Sequence, residues 1–167
     1  MDSFKKVFLI LTLTTFFMWV SEGGDCRKCP EYWTEMEGYC YQYFGGRQTF
    51  DDANTICQRT GAHLVSIRDQ TENELIYHLW KGLVKHPTEK DSAYWIGLRD
   101  THQESDFQWT DNTPYTYFNW GPGQPDNAGG EDCVEVRNDG GNDAERMRWN
   151  DLPCHHIRAF FCRMPLP

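Results

Sequence analysis

The chain has 167 residues and a net charge of −9. This acidity argues against a nucleic-acid-binding protein, because the neutralisation of phosphates needs clustered lysine and arginine. Residues 1–23 are typical of a secretory signal peptide, since Lys5 and Lys6 precede an apolar run of about fourteen residues. That run is shorter than the roughly twenty residues that span a bilayer, so no membrane insertion is expected. The remainder, residues 24–167, is enough for one domain of a secreted, extracellular protein.

Seven cysteines follow the predicted signal peptide, and in an oxidising compartment disulfides are their expected state. An odd number leaves one thiol over, and spacing alone leaves the pairing open. Cys26 and Cys29 form a C-x-x-C pair. Neither a second such pair nor a helical pattern follows, so a redox or zinc site is not indicated.

The first half of the domain predicts two helices separated by short strands. In chain order these are an aromatic strand over 39–44 that ends in a hairpin at Gly45-Gly46, a helix over 50–60, a strand over 64–67 and a helix over 70–82. Thr49 and Asp69 precede the two helices as N-caps, and Gly61 ends the first helix.

The second half predicts a buried strand over 94–98 and then a long stretch rich in Gly, Pro, Asn and Asp over 111–130. Ordinary loops run about four to six residues, so one of this length is usually functional or disordered. Its tyrosines, phenylalanine and tryptophan argue against disorder. Strands are predicted again over 133–137, 146–149 and 159–163.

The side chains that indicate chemistry lie in and after this long loop. They are Gln124, Asp126, Glu131, Asn150 and Asp151. Carboxylate and amide oxygens suit calcium, which takes six to eight oxygen ligands. A cis Gln124–Pro125 bond would place the two flanking side chains on the same side. The alternative is a solvated acidic face, because twelve Asp or Glu stand against three Arg between Asp100 and Asp151.

Several motifs together give the chain, from Cys29 to Cys162, a close resemblance to the C-type lectin domain, and in particular to soluble invertebrate lectins of the echinoidin type. The motifs are Cys29-Pro30 with Trp33, Cys40-Tyr41, Trp95-Ile96-Gly97-Leu98, Gln124-Pro125-Asp126, Trp149-Asn150-Asp151, and the spacing of Cys133, Cys154 and Cys162. The resemblance implies an α+β fold of two helices and two small antiparallel sheets with a long calcium-binding loop. It also implies the bridges Cys29–Cys40, Cys57–Cys162 and Cys133–Cys154, which leave Cys26 for an interchain disulfide in a homodimer.

In this family the Gln-Pro-Asp motif accompanies galactose-type ligands, and Glu-Pro-Asn accompanies mannose-type ligands. The resemblance therefore implies a Ca²⁺ cofactor held by Gln124, Asp126, Glu131, Asn150 and Asp151, whose shell two vicinal sugar hydroxyls complete. Terminal galactose or N-acetylgalactosamine is the implied glycan, and agglutination or innate immune recognition the implied role. A possible auxiliary calcium site falls on Asp100, Glu104, Asn127 and Asp132.

The chain differs from strong galactose binders of the family, because no tryptophan follows the motif in residues 127–130. Sugar stacking would then need Trp120, Tyr117, His102 or His155, of which Trp120 is expected in the core. Affinity for a single sugar is therefore expected to be weak.

An enzyme is not expected. Acid pairs such as Glu131 and Asp151 act as acid and base in glycosidases, but here the acids belong to one expected set of metal ligands. No Ser/His or Cys/His pair that would act as nucleophile and base stands out. The remaining alternative is a lectin-like domain that binds a protein partner or a mineral surface.

Overall fold

The computed structural model describes residues 28–84, 92–100, 105–138 and 146–167. Its elements, in chain order, are β1 Thr34–Met36, β2 Tyr39–Gln48, α1 Phe50–Arg59, β3 His63–Leu64, α2 Gln70–Leu83, β4 Ala93–Asp100, β5 Phe107–Trp109, β6 Cys133–Arg137, β7 Arg148–Leu152 and β8 Arg158–Pro165. The predicted signal peptide, the interchain candidate Cys26, the ligand candidate Glu104 and the stacking candidate His102 lie outside the described residues. No helix in the described part of the chain is long and apolar enough to cross a membrane.

Both helices begin where the sequence predicts, because a side chain caps each first turn. Thr49 Oγ1 accepts a hydrogen bond from the Asp52 amide at 3.3 Å, and Asp69 Oδ1 accepts one from the Glu72 amide at 2.8 Å. Such caps satisfy backbone donors that have no partner inside the helix. Just after α1, Gly61 has a φ of +77°, a left-handed conformation that glycine adopts without steric cost.

The strands form one eight-stranded sheet in the order β1-β2-β8-β4-β6-β7, with β3 beside β8 and β5 beside β4. Every pair is antiparallel except β4 and β8, which run parallel where Tyr94 faces Ala159 and Trp95 faces Phe160. The two small antiparallel sheets are therefore present as two groups of strands joined by this short parallel contact. With the two helices, they confirm the α+β fold.

The hairpin predicted at Gly45-Gly46 is wrong. Strand β2 runs through both glycines to Gln48 and pairs with β8 on each side of them, with a register shift between Phe44 and Gln48. The long β8 offers hydrogen-bond partners beyond the glycines, so the irregularity is absorbed as a bulge instead of a turn.

The strand predicted over 64–67 is shorter than expected, because Val65 connects two strands rather than extending one. Its amide donates to the Phe161 carbonyl at 2.9 Å, and its carbonyl accepts from the Gly97 amide at 2.7 Å. At Gly97 the backbones approach so closely that a Cβ atom would lie 2.6 Å from the Leu64 carbonyl oxygen. Only glycine fits there without a shift of the backbone.

Three disulfides fix the frame, and they join Cys29 to Cys40, Cys57 to Cys162, and Cys133 to Cys154. This is the pairing that the resemblance implies. The Cys57–Cys162 bridge joins residues 105 apart in sequence, and in the chain-entropy model such a loop contributes up to about 4.7 kcal/mol. The Cys133–Cys154 bridge ties the start of β6 to the segment after β7, and both of these strands border the long loop.

The fully buried Trp149 on β7 anchors the long loop to the sheet. The rings of Trp120 and Tyr117 pack edge-on against it at centroid distances of 5.9 and 5.6 Å. The Trp149 carbonyl accepts from the Gly121 amide, and the Trp149 amide donates to the Asn119 carbonyl, both at 2.9 Å. The loop is therefore held against β7 just before it reaches Gln124. Trp120 belongs to this packing, as the sequence predicts.

Candidate functional site

Two segments far apart in sequence supply the candidate site residues. Gln124, Asp126 and Glu131 lie on the long loop, whereas Asn150 and Asp151 lie on β7. Carboxylate oxygens of Asp126, Glu131 and Asp151 lie within 4.8 Å of one another. Among the described residues this is the only group of three such potential metal ligands.

Asp151 connects the loop to the sheet. This residue is 1% exposed, and its carboxylate accepts the Asp126 amide at 3.2 Å on Oδ1 and the Asn127 amide at 2.8 Å on Oδ2. Further turns are closed by Asp126 Oδ1, which accepts from the Ala128 amide at 3.1 Å, and by Asn127 Oδ1, which accepts from the Glu131 amide at 2.8 Å. Backbone amides thus orient the acids, as carboxylate and amide acceptors at turns commonly do.

Gln124 and Asp126 lie on either side of a cis peptide bond between Gln124 and Pro125. Their side chains meet, since Gln124 Nε2 donates to Asp126 Oδ2 at 3.2 Å. Gln124 Oε1 is buried and accepts no hydrogen bond within the described part of the chain. A buried polar oxygen without a partner is costly, so this atom indicates a ligand such as a cation or a hydroxyl group.

The electrostatics of the cluster favour a cation. The pKa of Glu131 is raised, first by partial burial and then by the negative charge of Asp151 and the nearby Asp126. None of the ion pairs among the described residues brings a lysine or arginine to these three carboxylates. Like charges held this close repel one another, and a divalent cation would relieve the repulsion. The donor set is oxygen only, and it fits calcium.

Glu135 is a supporting residue that the sequence analysis missed. It is 3% exposed on β6, where Oε1 accepts from Asn150 Nδ2 at 3.2 Å and Oε2 pairs with Arg158. The same Asn150 nitrogen donates to the Asp151 carbonyl at 2.7 Å. These two bonds orient the Asn150 amide. The signal in the sequence was an acid between two valines, at a position where an apolar strand is predicted.

Of the four auxiliary candidates, Glu104 lies outside the described residues, so the set of four is not tested. Asp100 accepts the Ser105 amide, and its own amide donates to the Asp132 carbonyl at 2.8 Å. Asn127 Oδ1 is engaged by the Glu131 amide. The auxiliary calcium site therefore stays a prediction.

Two of the candidates for sugar stacking, Tyr117 and Trp120, pack and form hydrogen bonds within the protein. Tyr117 packs on Trp149 and donates its hydroxyl to Gln70 at 2.6 Å, while Trp120 Nε1 donates to the Tyr115 hydroxyl at 3.0 Å. His155 is exposed and lines a groove with Gly129 and Gly130. Among the described stacking candidates, His155 alone is both exposed and next to the loop.

The fold and this cluster define a disulfide-bonded α+β domain in which the long loop and β7 bring three carboxylates together. Residues 46–164 match the family described as "Lectin C-type domain". The chain is 39% identical over 149 residues to an alpha-N-acetylgalactosamine-specific lectin of Patiria pectinifera, over 84% of this chain and 85% of that protein. It is 34% identical over 163 residues to a C-type lectin of Micrurus corallinus, over 93% and 95% of the two chains.

A solved structure agrees with these relatives. The mouse scavenger receptor C-type lectin carbohydrate-recognition domain has a TM-score of 0.70 at 33% identity, over 84% of this chain and 100% of that domain. The chain therefore belongs to the C-type lectin family, which is a carbohydrate-binding fold and not an enzyme fold. The resemblance read from the sequence motifs is confirmed.

Proposed function

We propose that this protein is a secreted, calcium-dependent lectin for glycans with terminal galactose or N-acetylgalactosamine. The observation that carries the proposal is the convergence of the Asp126, Glu131 and Asp151 carboxylates within 4.8 Å, beside the partnerless buried oxygen of Gln124. Hard cations prefer such oxygen sets. The raised pKa of Glu131 supports the proposal, because it reflects the negative charge of the neighbouring carboxylates that a cation would neutralise.

The residues proposed to hold calcium are Gln124, Asp126, Glu131, Asn150 and Asp151. When bound, the ion supplies coordination positions for two vicinal hydroxyls of one sugar. Asp126 and Glu131 accept hydrogen bonds from those hydroxyls as carboxylates, and Gln124 donates one through Nε2. Each hydroxyl thus contacts both the ion and the protein, which makes binding dependent on calcium and on hydroxyl geometry.

Galactose specificity is proposed from the order of donor and acceptor along the loop. The amide stands at 124 and the acid at 126, and mannose-type members of the family have the reverse order. The lectin of Patiria pectinifera, whose name states specificity for alpha-N-acetylgalactosamine, supports this choice. Without a tryptophan after the motif, single-sugar affinity is expected to be weak.

Weak sites are proposed to act through avidity. Cys26 would link two chains, and two linked sites raise apparent affinity on a surface that carries many glycans. Agglutination of cells or microbes in innate defence is the expected role. The four auxiliary candidates Asp100, Glu104, Asn127 and Asp132 would add a second ion that stiffens the loop.

The test is retention of the secreted protein on galactose and mannose resins, each with calcium and with chelator. Retention on galactose that chelator abolishes is expected, with a dimer band on non-reducing gels that reduction removes. Specificity is tested by Gln124→Glu combined with Asp126→Asn, which should shift preference toward mannose. An unchanged sugar ranking would contradict the order argument. Retention on neither resin, with calcium still bound, would favour the alternative of a protein or mineral ligand.

A further inference from the structure

A groove lies between the long loop, the start of α1 and the turn that follows β7. It has a volume of about 530 Å³, and its lining includes Asp51, Gly129, Gly130, Cys154 and His155. Ligand-binding clefts of proteins commonly have about 300–1,000 Å³. The groove is therefore large enough for a sugar residue. Its described lining includes none of the five residues proposed to hold calcium.

The groove is next to the proposed sugar site because the same two segments form both. Gly129 and Gly130 directly precede Glu131, and Cys154 follows Asp151 by three residues. Consecutive Cα atoms are about 3.8 Å apart, so the loop wall begins about 4 Å from the Cα of Glu131, and Cys154 lies at most about 11 Å from Asp151. A glycan whose terminal residue is held at the calcium site can therefore place its second residue in the groove.

Backbone hydrogen bonds and a disulfide hold the walls of the groove. The Phe50 amide at the start of α1 donates to the Cys154 carbonyl at 3.0 Å, and the His156 amide donates to the Pro153 carbonyl at 3.0 Å. Cys154 is also bridged to Cys133 at the start of β6. A preformed groove orders few groups when a ligand binds, so more of the contact energy appears as affinity.

His155 gives the groove an aromatic surface. The residue is exposed, and its ring contacts the ring of His156 at a centroid distance of 4.9 Å. A pyranose ring has an apolar face of C–H groups, and aromatic side chains bury such faces well. Residues 127–130 offer no tryptophan to the terminal sugar. The stacking contact is thus available to the second sugar residue instead.

Asp51 gives the groove a hydrogen-bond acceptor. Its side chain is 72% exposed, and Oδ1 accepts from Arg99 Nη1 at 3.0 Å. A carboxylate has about four lone-pair sites, so Asp51 can accept from sugar hydroxyls while this ion pair is kept. Asp132 also lines the groove, but it is an auxiliary calcium candidate and is left unchanged in the test. A ring and a carboxylate are the contacts that a hydroxyl-rich ring requires.

We propose that this groove is a second sugar subsite. The protein then prefers oligosaccharides in which a terminal galactose-type residue is followed by a sugar that stacks on His155 and donates a hydroxyl to Asp51. The inference rests on the proposed function, because the terminal residue is taken to be held at the calcium ion. Since the first residue holds the second beside the groove, the second contact is intramolecular and adds to affinity. That gain offsets the weak binding expected of a single sugar.

The experiment measures inhibition of the secreted protein's binding to a galactose resin, in calcium, by methyl galactoside and by a panel of galactose-terminated disaccharides. The panel varies the second residue among glucose, N-acetylglucosamine and N-acetylgalactosamine, and it varies the linkage and the anomer. At least one disaccharide is expected to inhibit at about five- to tenfold lower concentration than methyl galactoside. The disaccharide with the largest advantage identifies the second residue and the linkage that the groove accepts.

Three variants and two controls locate this advantage in the groove. His155→Ala should reduce the advantage of the disaccharide to less than about twofold, whereas His155→Phe, which keeps a ring, should retain most of it. Asp51→Asn should reduce the advantage by about two- to threefold. The controls are His78→Ala on α2 and Asp52→Asn, beside Asp51 on α1. Both are exposed residues outside the described lining of the groove, and neither change should alter the advantage.

The outcomes separate the subsite from the proposed function. If methyl galactoside inhibits but no disaccharide does so more strongly, the subsite is refuted and the lectin function stands. The same conclusion follows if His155→Ala weakens inhibition by methyl galactoside as much as inhibition by the disaccharide, since the ring then contacts the terminal sugar. It also follows if the controls lower the advantage as much as the groove variants do. If no sugar elutes the wild-type protein, or it never binds the resin, the proposed function fails and the subsite with it.

Discussion

Replacement of Asp151 by asparagine is the most direct test of the site. The substitution keeps the size of the side chain but removes one of the three carboxylates that lie within 4.8 Å of one another. It also replaces one of two accepting oxygens, since Oδ1 and Oδ2 each accept a loop amide, at 3.2 and 2.8 Å. An amide nitrogen cannot accept, so one of these hydrogen bonds is lost.

Two magnitudes follow from this geometry. Loss of one hydrogen bond from a backbone amide to a carboxylate costs about 1.5–3 kcal/mol. For a domain of this size, that lowers the melting temperature of the calcium-free protein by at most roughly 3–10 °C, because the loss of one carboxylate also relieves the repulsion within the cluster. Changes to residues that merely support a metal ligand lower affinity about 10- to 100-fold, so the loss of a ligand should lower calcium affinity by more than about 100-fold.

Calorimetric titration with calcium and thermal unfolding with and without chelator measure the two effects separately. The matched control is Asp106→Asn, an exposed acid outside the cluster that removes the same charge. In wild-type protein and in this control, calcium should raise the melting temperature, because a ligand that binds only the folded state stabilises it. Asp151→Asn should lose that increase. Calcium affinity within about threefold of wild type in Asp151→Asn would refute the assignment of this cluster as the cation site.

Two further predictions concern the frame that carries the site. Glu72 is 3% exposed and pairs with Arg163 at 2.9 Å and Arg68 at 2.9 Å, so Glu72→Gln should lower the free energy of unfolding by about 3–5 kcal/mol in urea titrations. Burial raises the pKa of Glu72, but hydrogen bonds from Arg68 and Tyr41 outweigh it and leave the pKa below its ordinary value of 4.5. The stability that Glu72 contributes is therefore complete above about pH 4.5 and is lost as the pH falls below it. If the free energy of unfolding of Glu72→Gln falls with decreasing pH as steeply as that of wild type, this reasoning is contradicted. Gly97→Ala should cost about 1–3 kcal/mol, because its Cβ would lie 2.6 Å from the Leu64 carbonyl oxygen, and an unchanged urea midpoint would show that the backbones separate freely.

The elements predicted well from sequence are those set by neighbouring residues. Thr49 and Asp69 cap helices within three residues of themselves, and apolar spacing gives each helix its buried face. Such signals are local, so they can be read before the fold is known. The cysteine pairing and the ligand set came from the resemblance, because neither follows from spacing.

Errors arose where a distant partner decides the outcome. Gly45-Gly46 has the composition of a turn, yet β8, more than 100 positions later, keeps β2 extended through it. The sequence predicts Val65 as part of a strand, but its backbone forms hydrogen bonds to Phe161 on one side and Gly97 on the other. A local pattern cannot reveal the register of a partner strand that the chain meets only after it folds.

The same distinction between local and long-range information applies to the candidate site. The sequence by itself determined which atoms are available to a cation, since Gln124, Asp126 and Glu131 offer carboxylate and amide oxygens. Tertiary structure alone decided that the Asp151 carboxylate accepts hydrogen bonds from the backbone amides of Asp126 and Asn127. The physical reason is that the interaction between two charged or polar groups depends on their separation in space and not in sequence. The packing of the loop on Trp149 sets the separation between the loop and β7.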